Sequence, residues 1–149
     1  MTAIITLLTD FGLEDGYVAA IKGVILKLCP DAVLVDISHT IPAFDIRAAA
    51  YVLKASYRHF PEGTTHLAVV DPGVGSSRKA LVLQTNFHRL VGPDNGIFSW
   101  IFKEEATVQA RSVENPTHWS PLASPTFHGR DLFAPVAAHL ARGTPIELL

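Results

Sequence analysis

The sequence lacks several features that mark common classes of protein. It has a single cysteine, Cys29, in 149 residues, so an intrachain disulfide is excluded. Its seven histidines show no HxxxH spacing and no CxxC pair is present, which argues against a metal site. The 12 basic and 14 acidic residues are scattered, and the net charge of −2 favours neither nucleic acid nor an anionic membrane as a partner.

Long hydrophobic runs are also missing. The apolar start "AIITLL", residues 3–8, is too short for a transmembrane helix and has neither a basic region nor a cleavage motif beside it. It predicts a buried first strand, and we expect a cytoplasmic protein. Cys29 lies in an apolar helical stretch just before Pro30, which predicts a small core residue.

What the sequence does contain is enough apolar surface for one α/β domain over residues 1–149, with 48% hydrophobic residues. Apolar runs predict strands at Ala3-Thr9, Ala32-Ile37, Thr65-Val70, Ala80-Thr85, His88-Val91 and Thr107-Val113. Helical periodicity appears at Gly16-Leu28, at Asp45-Tyr57 with Asp45 as N-cap, and at Gly129-Ala141. The alternation predicts a Rossmann-like, three-layer domain with a mostly parallel sheet covered on both faces.

Three acids stand near the ends of the first three predicted strands. These are Asp10, Asp36 and Asp71. In an open parallel sheet, ligands bind in the crevice beyond the carboxyl ends of the strands. An aspartate after a strand is commonly an Asx-turn or a helix cap. The joint pattern, more than any one of the acids, indicates a binding crevice.

The loop "VVDPGVGSSRKA", residues 69–80, has the glycines of a phosphate cradle. Asp71 argues against that interpretation, because its carboxylate would repel a phosphate. A cation, a hydroxyl group or a water is a better guest. Gly73 and Gly75 allow the chain to reverse, so that Arg78 can face the same pocket as Asp71. The alternative is an ordinary surface ion pair.

A second candidate segment, "TFHGRDLFAP", follows the polar, proline-containing stretch Ser112-Pro125, which predicts an ordered surface loop or flap. His128 and Gly129 open an apolar helix there. The positive end of the helix dipole lowers the pKa of a histidine in this place. We therefore expect a neutral imidazole at His128, able to accept a proton.

Five ordered segments resemble one known family over nearly the whole chain. They are "LLTDFGLEDGYVAAIKG", "DISHTIPAFDIRAAAYVL", "FPEGTTHLAVVDPGVGSSR", "VGPDNG" and "TFHGRDLFAPVAAHL". Together they resemble the S-adenosylmethionine hydroxide adenosyltransferases, relatives of the fluorinases and chlorinases. The resemblance implies hydrolysis of S-adenosylmethionine to adenosine and methionine, with no metal or cofactor. It also implies a homotrimer with active sites between neighbouring subunits.

The resemblance assigns roles to the residues singled out above. Asp71, Arg78 and His128 fall on the positions that handle the attacking water. In the halogenating relatives the position of Asp71 looks like a tyrosine and "FHGR" looks like "FYSR", so this chain resembles the enzymes that use water.

The substrate-binding positions follow in the same way. Asp10 falls on the acid that grips the ribose hydroxyls, and Phe44 falls on the aromatic residue that lines the pocket. Gly129, beside His128, is assigned to substrate binding.

Family members are usually longer, with a β-rich C-terminal domain that contributes the adenine-binding wall. This chain contains no such segment, so we expect it to be the N-terminal domain, with low activity by itself. A non-catalytic module that binds adenosine or S-adenosylmethionine, or that trimerises, is the alternative. A phosphate-binding Rossmann-like domain is disfavoured by Asp71 and by the missing GxGxxG after the first strand.

Overall fold

A six-stranded sheet runs through the centre of the computed structural model, which describes residues 1–149. The strands are β1 (Ile4–Thr9), β2 (Val33–Ser38), β3 (Thr65–Val69), β4 (Ala80–Thr85), β5 (Arg89–Pro93) and β6 (Val108–Ser112). Their order across the sheet is β2-β1-β3-β5-β4-β6. All six strands were predicted from the apolar runs, with ends that differ by no more than two residues.

The sheet is mixed, because one strand runs against the others. The neighbours β2, β1, β3 and β5 are parallel, whereas β4 is antiparallel to both β5 and β6. Only three residues, 86–88, connect β4 to β5. A turn that short can join only antiparallel strands, since parallel neighbours need a long crossover. The predicted mostly parallel sheet is thus confirmed with β4 as its exception.

Helices cover both faces of the sheet, as the continuous hydrophobicity of the strands predicts. They are α1 (Tyr17–Leu28), α2 (Ile46–Ser56), α3 (Ser99–Glu104) and α4 (Ala134–Ala141). The α1 and α4 helices pack on one face with Leu7 and Val69, and α2 and α3 pack on the other with Leu8 and Ala68. Successive strand residues therefore serve opposite cores. None of the helices has the length and hydrophobicity of a membrane span.

Two local predictions from the sequence hold at the helix ends, and one short helix was not predicted. Asp45 caps α2 as predicted, because its carboxylate accepts a hydrogen bond from the Ala48 N–H. Cys29 is buried beside α1, also as predicted. The six-residue α3 was not predicted, since so short a helix shows no clear hydrophobic period.

The predicted helix Gly129-Ala141 begins differently from the prediction. Its first five residues, Gly129–Phe133, form a π-helical turn in which the Ala134 N–H donates to the Gly129 carbonyl. Pro135 has no N–H to donate to the carbonyl of Asp131. That carbonyl instead accepts a hydrogen bond from the Ser120 N–H at 2.8 Å. Proline thus explains the local change, and π turns of this kind are frequent at functional sites.

Candidate active site

Two of the three predicted acids lie at one crevice. The β1 strand stands between β2 and β3, so the connections that leave these strands diverge at this point of the sheet. Such a switch point is where open α/β sheets bind ligands. The last residues of β1 and β3, Thr9 and Val69, are paired across the strands. Asp10 and Asp71 therefore follow neighbouring strand ends.

Asp36 does not belong to this crevice. It lies within β2, not beyond its end, and its carboxylate accepts hydrogen bonds from Lys22 Nζ at 2.7 Å and His39 Nε2 at 2.9 Å. Partial burial raises the pKa of Asp36, but the bonds from Lys22 and His39 outweigh that effect and hold it below its usual value. The prediction that Asp36 is a third crevice acid is therefore wrong.

Asp71 and Arg78 form a buried ion pair. Arg78 Nε donates to Asp71 Oδ1 at 2.9 Å and to Oδ2 at 3.0 Å, and Nη2 also donates to Oδ2. The two side chains are only 10% and 6% exposed, so the surface-pair alternative is wrong. A Cβ at Gly73 would stand 3.1 Å from Arg78 Cγ, which explains a glycine there. The guanidinium also lies over the Phe133 ring, 5.2 Å from its centre.

Arg78 joins this pair to His128 from the far end of the chain. Arg78 Nη2 lies 2.8 Å from His128 Nδ1. An arginine can only donate, so Nδ1 accepts and the proton of the neutral ring is on Nε2. The structure thus brings Asp71, Arg78 and His128 into one hydrogen-bonded chain.

The pKa of His128 is lowered, as the sequence predicts. Burial lowers it most, and the positive charge of Arg78 lowers it further. The helix dipole acts in the same direction, since the π-helical turn after His128 continues directly into α4. With Nδ1 engaged by Arg78, the remaining polar atom of the ring is the donor Nε2–H. This arrangement favours orienting a water over accepting its proton.

Arg78 and His128 line a cavity of about 370 Å³. Its other walls include Trp119 and Ser124, which belong to the predicted flap. Asp131 holds this flap in place, because its Oδ2 accepts the Ser124 N–H at 2.7 Å. A hydrogen bond from Arg130 lowers the pKa of Asp131. Another cavity, of about 410 Å³, lies between α3 and strands β4 to β6 and contains none of the predicted site residues.

Trp119 and Asp131 were not predicted as site residues from the sequence. One signal could have found Asp131, namely an acid that begins the apolar run "DLFAPVAA". Such an acid must be satisfied if it is buried, and Asp131 is only 4% exposed. Trp119 gave no signal, because nothing in the loop sequence says that it folds back against the π turn.

Asp10 and Phe44 join the loops after β1 and β2. Asp10 Oδ2 accepts a hydrogen bond from the Phe44 N–H at 2.8 Å. Phe44 has a φ of 64°, a left-handed conformation that is uncommon for a non-glycine residue and is often found at functional sites. Its side chain is 65% exposed. A large aromatic ring therefore stands uncovered beside the carboxylate predicted to bind ribose.

Gly129 is buried for a packing reason. A Cβ there would stand 3.1 Å from the Phe11 ring and 3.4 Å from Ile21 Cδ1. Contact with substrate stays a prediction for this residue. The structure contains no cluster of three or more His, Cys, Asp or Glu side chains arranged for a metal ion.

Comparison with known families gives a match over almost the entire chain. Residues 5–149 match the family described as SAM hydroxide adenosyltransferase N-terminal domain. An (R)-S-adenosyl-L-methionine hydrolase from Thermus thermophilus is 45% identical over 148 residues, covering 94% of this chain and 57% of the relative. A fluorinase from Nocardia brasiliensis is 31% identical over 167 residues, covering 97% of this chain and 56% of the relative.

Solved structures give the same result. A conserved protein from Thermotoga maritima superposes with a TM-score of 0.94 at 44% identity, over 97% of this chain and 56% of that one. A protein from Thermus thermophilus has a TM-score of 0.81 at 42% identity, over 99% of this chain and 56% of that one. The chain thus spans a little over half the length of the relatives it matches.

Proposed function

The chain belongs to the S-adenosylmethionine hydroxide adenosyltransferase family, and from this premise we propose that it carries the water-activating part of an S-adenosylmethionine hydrolase. The products are adenosine and L-methionine. The observation that carries the proposal is the guanidinium of Arg78, which is held by Asp71, bonded to His128 and present in the wall of a cavity.

The difficult part of the reaction is the activation of the nucleophile, which is water. The water oxygen forms a bond to C5′ of the substrate while the bond from C5′ to sulfur breaks. The electron pair of that bond goes to sulfur, which changes from a sulfonium to a neutral thioether. Such a leaving group needs no general acid. One proton leaves the water, and free water is a very weak acid, with a pKa of about 15.7.

The three hydrogen-bonded residues meet this demand in different ways. Arg78 supplies a fixed positive charge next to the developing hydroxide, from a side chain that is only 10% exposed. His128 donates through Nε2–H and so orients the water. Asp71 Oδ1 accepts only one hydrogen bond in the structure, from Arg78, and it has a free lone pair for the departing proton.

The remaining predicted residues bind the substrate in this proposal. Asp10 can accept both ribose hydroxyls through its two oxygens. Phe44 presents an exposed ring, on which an adenosine group or a sulfonium can pack. Gly129 brings the backbone close to the substrate beside His128.

We propose a homotrimer in the cytoplasm that takes no metal or cofactor. Two large aromatic side chains on α2 and α3, Tyr51 and Phe102, are 63% and 54% exposed, which supports burial against another subunit. The scattered charges support small molecules as ligands and give no support for binding nucleic acid.

The test compares residues 1–149 with a chimera that joins them to the second half of the Thermus thermophilus (R)-S-adenosyl-L-methionine hydrolase, the relative that is 45% identical. Each is incubated with S-adenosylmethionine, and adenosine and methionine are measured by chromatography. We expect equal amounts of both products from the chimera and a much lower rate from residues 1–149, because enclosure keeps the reacting atoms aligned. A folded chimera that binds adenosine without releasing products would instead favour the non-catalytic module.

A further inference from the structure

A second hydrogen-bonded histidine stands behind the crevice and has no part in the chemistry proposed above. His39 is buried, with 2% of its side chain exposed, and its ring lies between Asp36 and Thr9. We propose that His39 is a positioning residue: through Thr9 and Gly12 it fixes the loop that carries Asp10, and it thereby sets the affinity for the ribose. This inference rests on the proposed role of Asp10.

The donors and acceptors around His39 run in one direction. Asp36 offers only acceptor oxygens, so the Nε2 of His39, 2.9 Å from Oδ1, carries a hydrogen. In the neutral ring Nδ1 then accepts from the Thr9 hydroxyl, at 2.7 Å. The hydroxyl oxygen of Thr9 in turn accepts the Phe11 N–H at 3.2 Å. Each group therefore determines whether the next one donates or accepts, so only one pattern of hydrogen bonds satisfies all of them.

His39 holds the loop on both sides of Asp10. Its ring is bonded to Thr9, the residue before Asp10, and its backbone carbonyl accepts the Gly12 N–H at 2.7 Å. Gly12 has a φ of 72°, which lets the chain turn back toward His39. The carboxylate of Asp10 adds a third link, to the Phe44 N–H. The loops after β1 and β2 are therefore joined on both sides of the predicted ribose site.

Hydrogen bonds link the carboxylate of Asp36, the imidazole of His39 and the hydroxyl of Thr9, in the order of a catalytic triad. This raises the alternative that Thr9 is a nucleophile. Burial excludes that alternative. Thr9 is 0% exposed, and its oxygen is already engaged by both His39 and the Phe11 N–H. A nucleophile needs an approach path for its electrophile. The three residues are therefore a support for the loop.

The chain provides a matched control on the same strand. Thr6 Oγ1 is bonded to His66 Nδ1 at 2.7 Å, and Thr6 is also 0% exposed. Thr6→Val and Thr9→Val each replace a buried hydroxyl bonded to histidine by a methyl group. Only Thr9 adjoins the loop that carries Asp10, so only its substitution should change substrate binding.

The first measurement is the kinetics of the chimera. For Thr9→Val we expect KM to rise about fivefold to tenfold with kcat within about twofold of wild type, because a ground-state contact is weakened. Thr9→Ser keeps the hydroxyl and should restore KM. His39→Asn, whose amide oxygen can replace Nδ1, should retain more affinity than His39→Ala. An equal rise of KM in Thr6→Val, or no rise in Thr9→Val, would overturn the proposal.

The second measurement needs no substrate and so separates this inference from the proposed function. Amide hydrogen exchange of Phe11 and Gly12 is followed in residues 1–149. We expect faster exchange at both amides in Thr9→Val and His39→Ala, and unchanged exchange there in Thr6→Val. Failure of the chimera to hydrolyse substrate would leave this result intact. Unchanged exchange in His39→Ala would refute the positioning role, whatever the enzyme does.

Discussion

Two of the histidine systems in the molecule, one buried around His66 and one at the cavity around His128, differ in how their ring nitrogens are used. At His66, Nδ1 is bonded to Thr6 and Nε2 lies 3.4 Å from His88 Nδ1, so both ring nitrogens are engaged inside the core. At His128, Nδ1 is bonded to Arg78, and the ring lines a cavity. Burial lowers the pKa of both histidines, and that of His66 falls to about 3.

A shifted pKa therefore does not by itself identify a catalytic group. His66 has the larger shift, yet Phe60 and Tyr57 pack against its ring edge-on, 5.7 and 6.2 Å from its centre, and no cavity described above reaches it. His128 has a ring that faces open space and a charged neighbour. An unused hydrogen-bonding atom directed at a cavity is the more useful sign of function.

The largest expected effect is on the cavity that Arg78 and His128 line. Arg78→Ala in the chimera should lower kcat by about 10²- to 10³-fold, because a fixed charge next to the nascent hydroxide is lost. The control is Arg58→Ala, which removes a half-exposed arginine paired with Glu105 away from the cavity. Its kcat should stay within about twofold of wild type. Equal losses in the two variants would remove the distinction between the site and the rest of the molecule.

The next effect concerns the buried His66 and the pH dependence of stability. The pKa of His66 is lowered to about 3 in the folded state, so below about pH 6.5 the unfolded chain takes up a proton that the folded chain refuses. Stability is therefore full above pH 6.5 and is lost as the pH falls toward 3, by up to about 1.4 kcal/mol per pH unit. Urea unfolding between pH 7 and pH 4 measures this loss.

A matched variant isolates the contribution of His66. His66→Asn keeps an acceptor for the Thr6 hydroxyl but does not titrate. Its free energy of unfolding should depend less on pH than that of the wild type, even if it is lower at neutral pH. An unchanged pH dependence would show that other groups, among them His128, cause the loss.

A smaller effect is expected at the substrate-binding acid. Asp10→Ala should raise KM about tenfold and change kcat much less, because a ribose contact acts in the ground state and the transition state alike. Asp71→Asn should do the reverse and lower kcat. Steady-state kinetics of both variants in the chimera measure the contrast. An unchanged KM in Asp10→Ala would require the ribose assignment to be abandoned.

The smallest effect is on packing next to His128. Gly129→Ala should destabilise the chain by about 1 kcal/mol, because the new methyl group stands 3.1 Å from the Phe11 ring and must displace it. Gly23→Ala, inside α1 with nothing within 4 Å of the new Cβ, should stabilise it by about 0.5–1 kcal/mol. Thermal unfolding compares the two. Equal shifts would show that the space around Gly129 adapts.

Much of the fold could be predicted because its signals are local. The hydrophobic runs predict six strands, and Asp45 predicts the start of α2. The direction of β4 and the π turn were not predicted. The direction of β4 nevertheless has a local signal, the three-residue connection to β5. The π turn depends on Pro135 together with a distant N–H from Ser120.

The candidate site was likewise predictable only in part. Asp10 and Asp71 could be placed at the crevice because parallel strands end at one edge, and the same rule misplaced Asp36. Its carboxylate is held by Lys22 and His39, and no strand-end rule contains that information. The bond from Arg78 to Nδ1 of His128, which sets the tautomer, could be read only from the structure.

The most direct test of water activation by Arg78 follows the oxygen atom. The chimera is incubated with S-adenosylmethionine in water enriched in oxygen-18, and the adenosine formed is analysed by mass spectrometry. If water attacks C5′ with the help of Arg78, the adenosine carries the label at its 5′ oxygen, methionine forms in equal amount, and both products are lost in Arg78→Ala. Unlabelled adenosine, or labelled adenosine formed at the wild-type rate by Arg78→Ala, would refute water activation by Arg78.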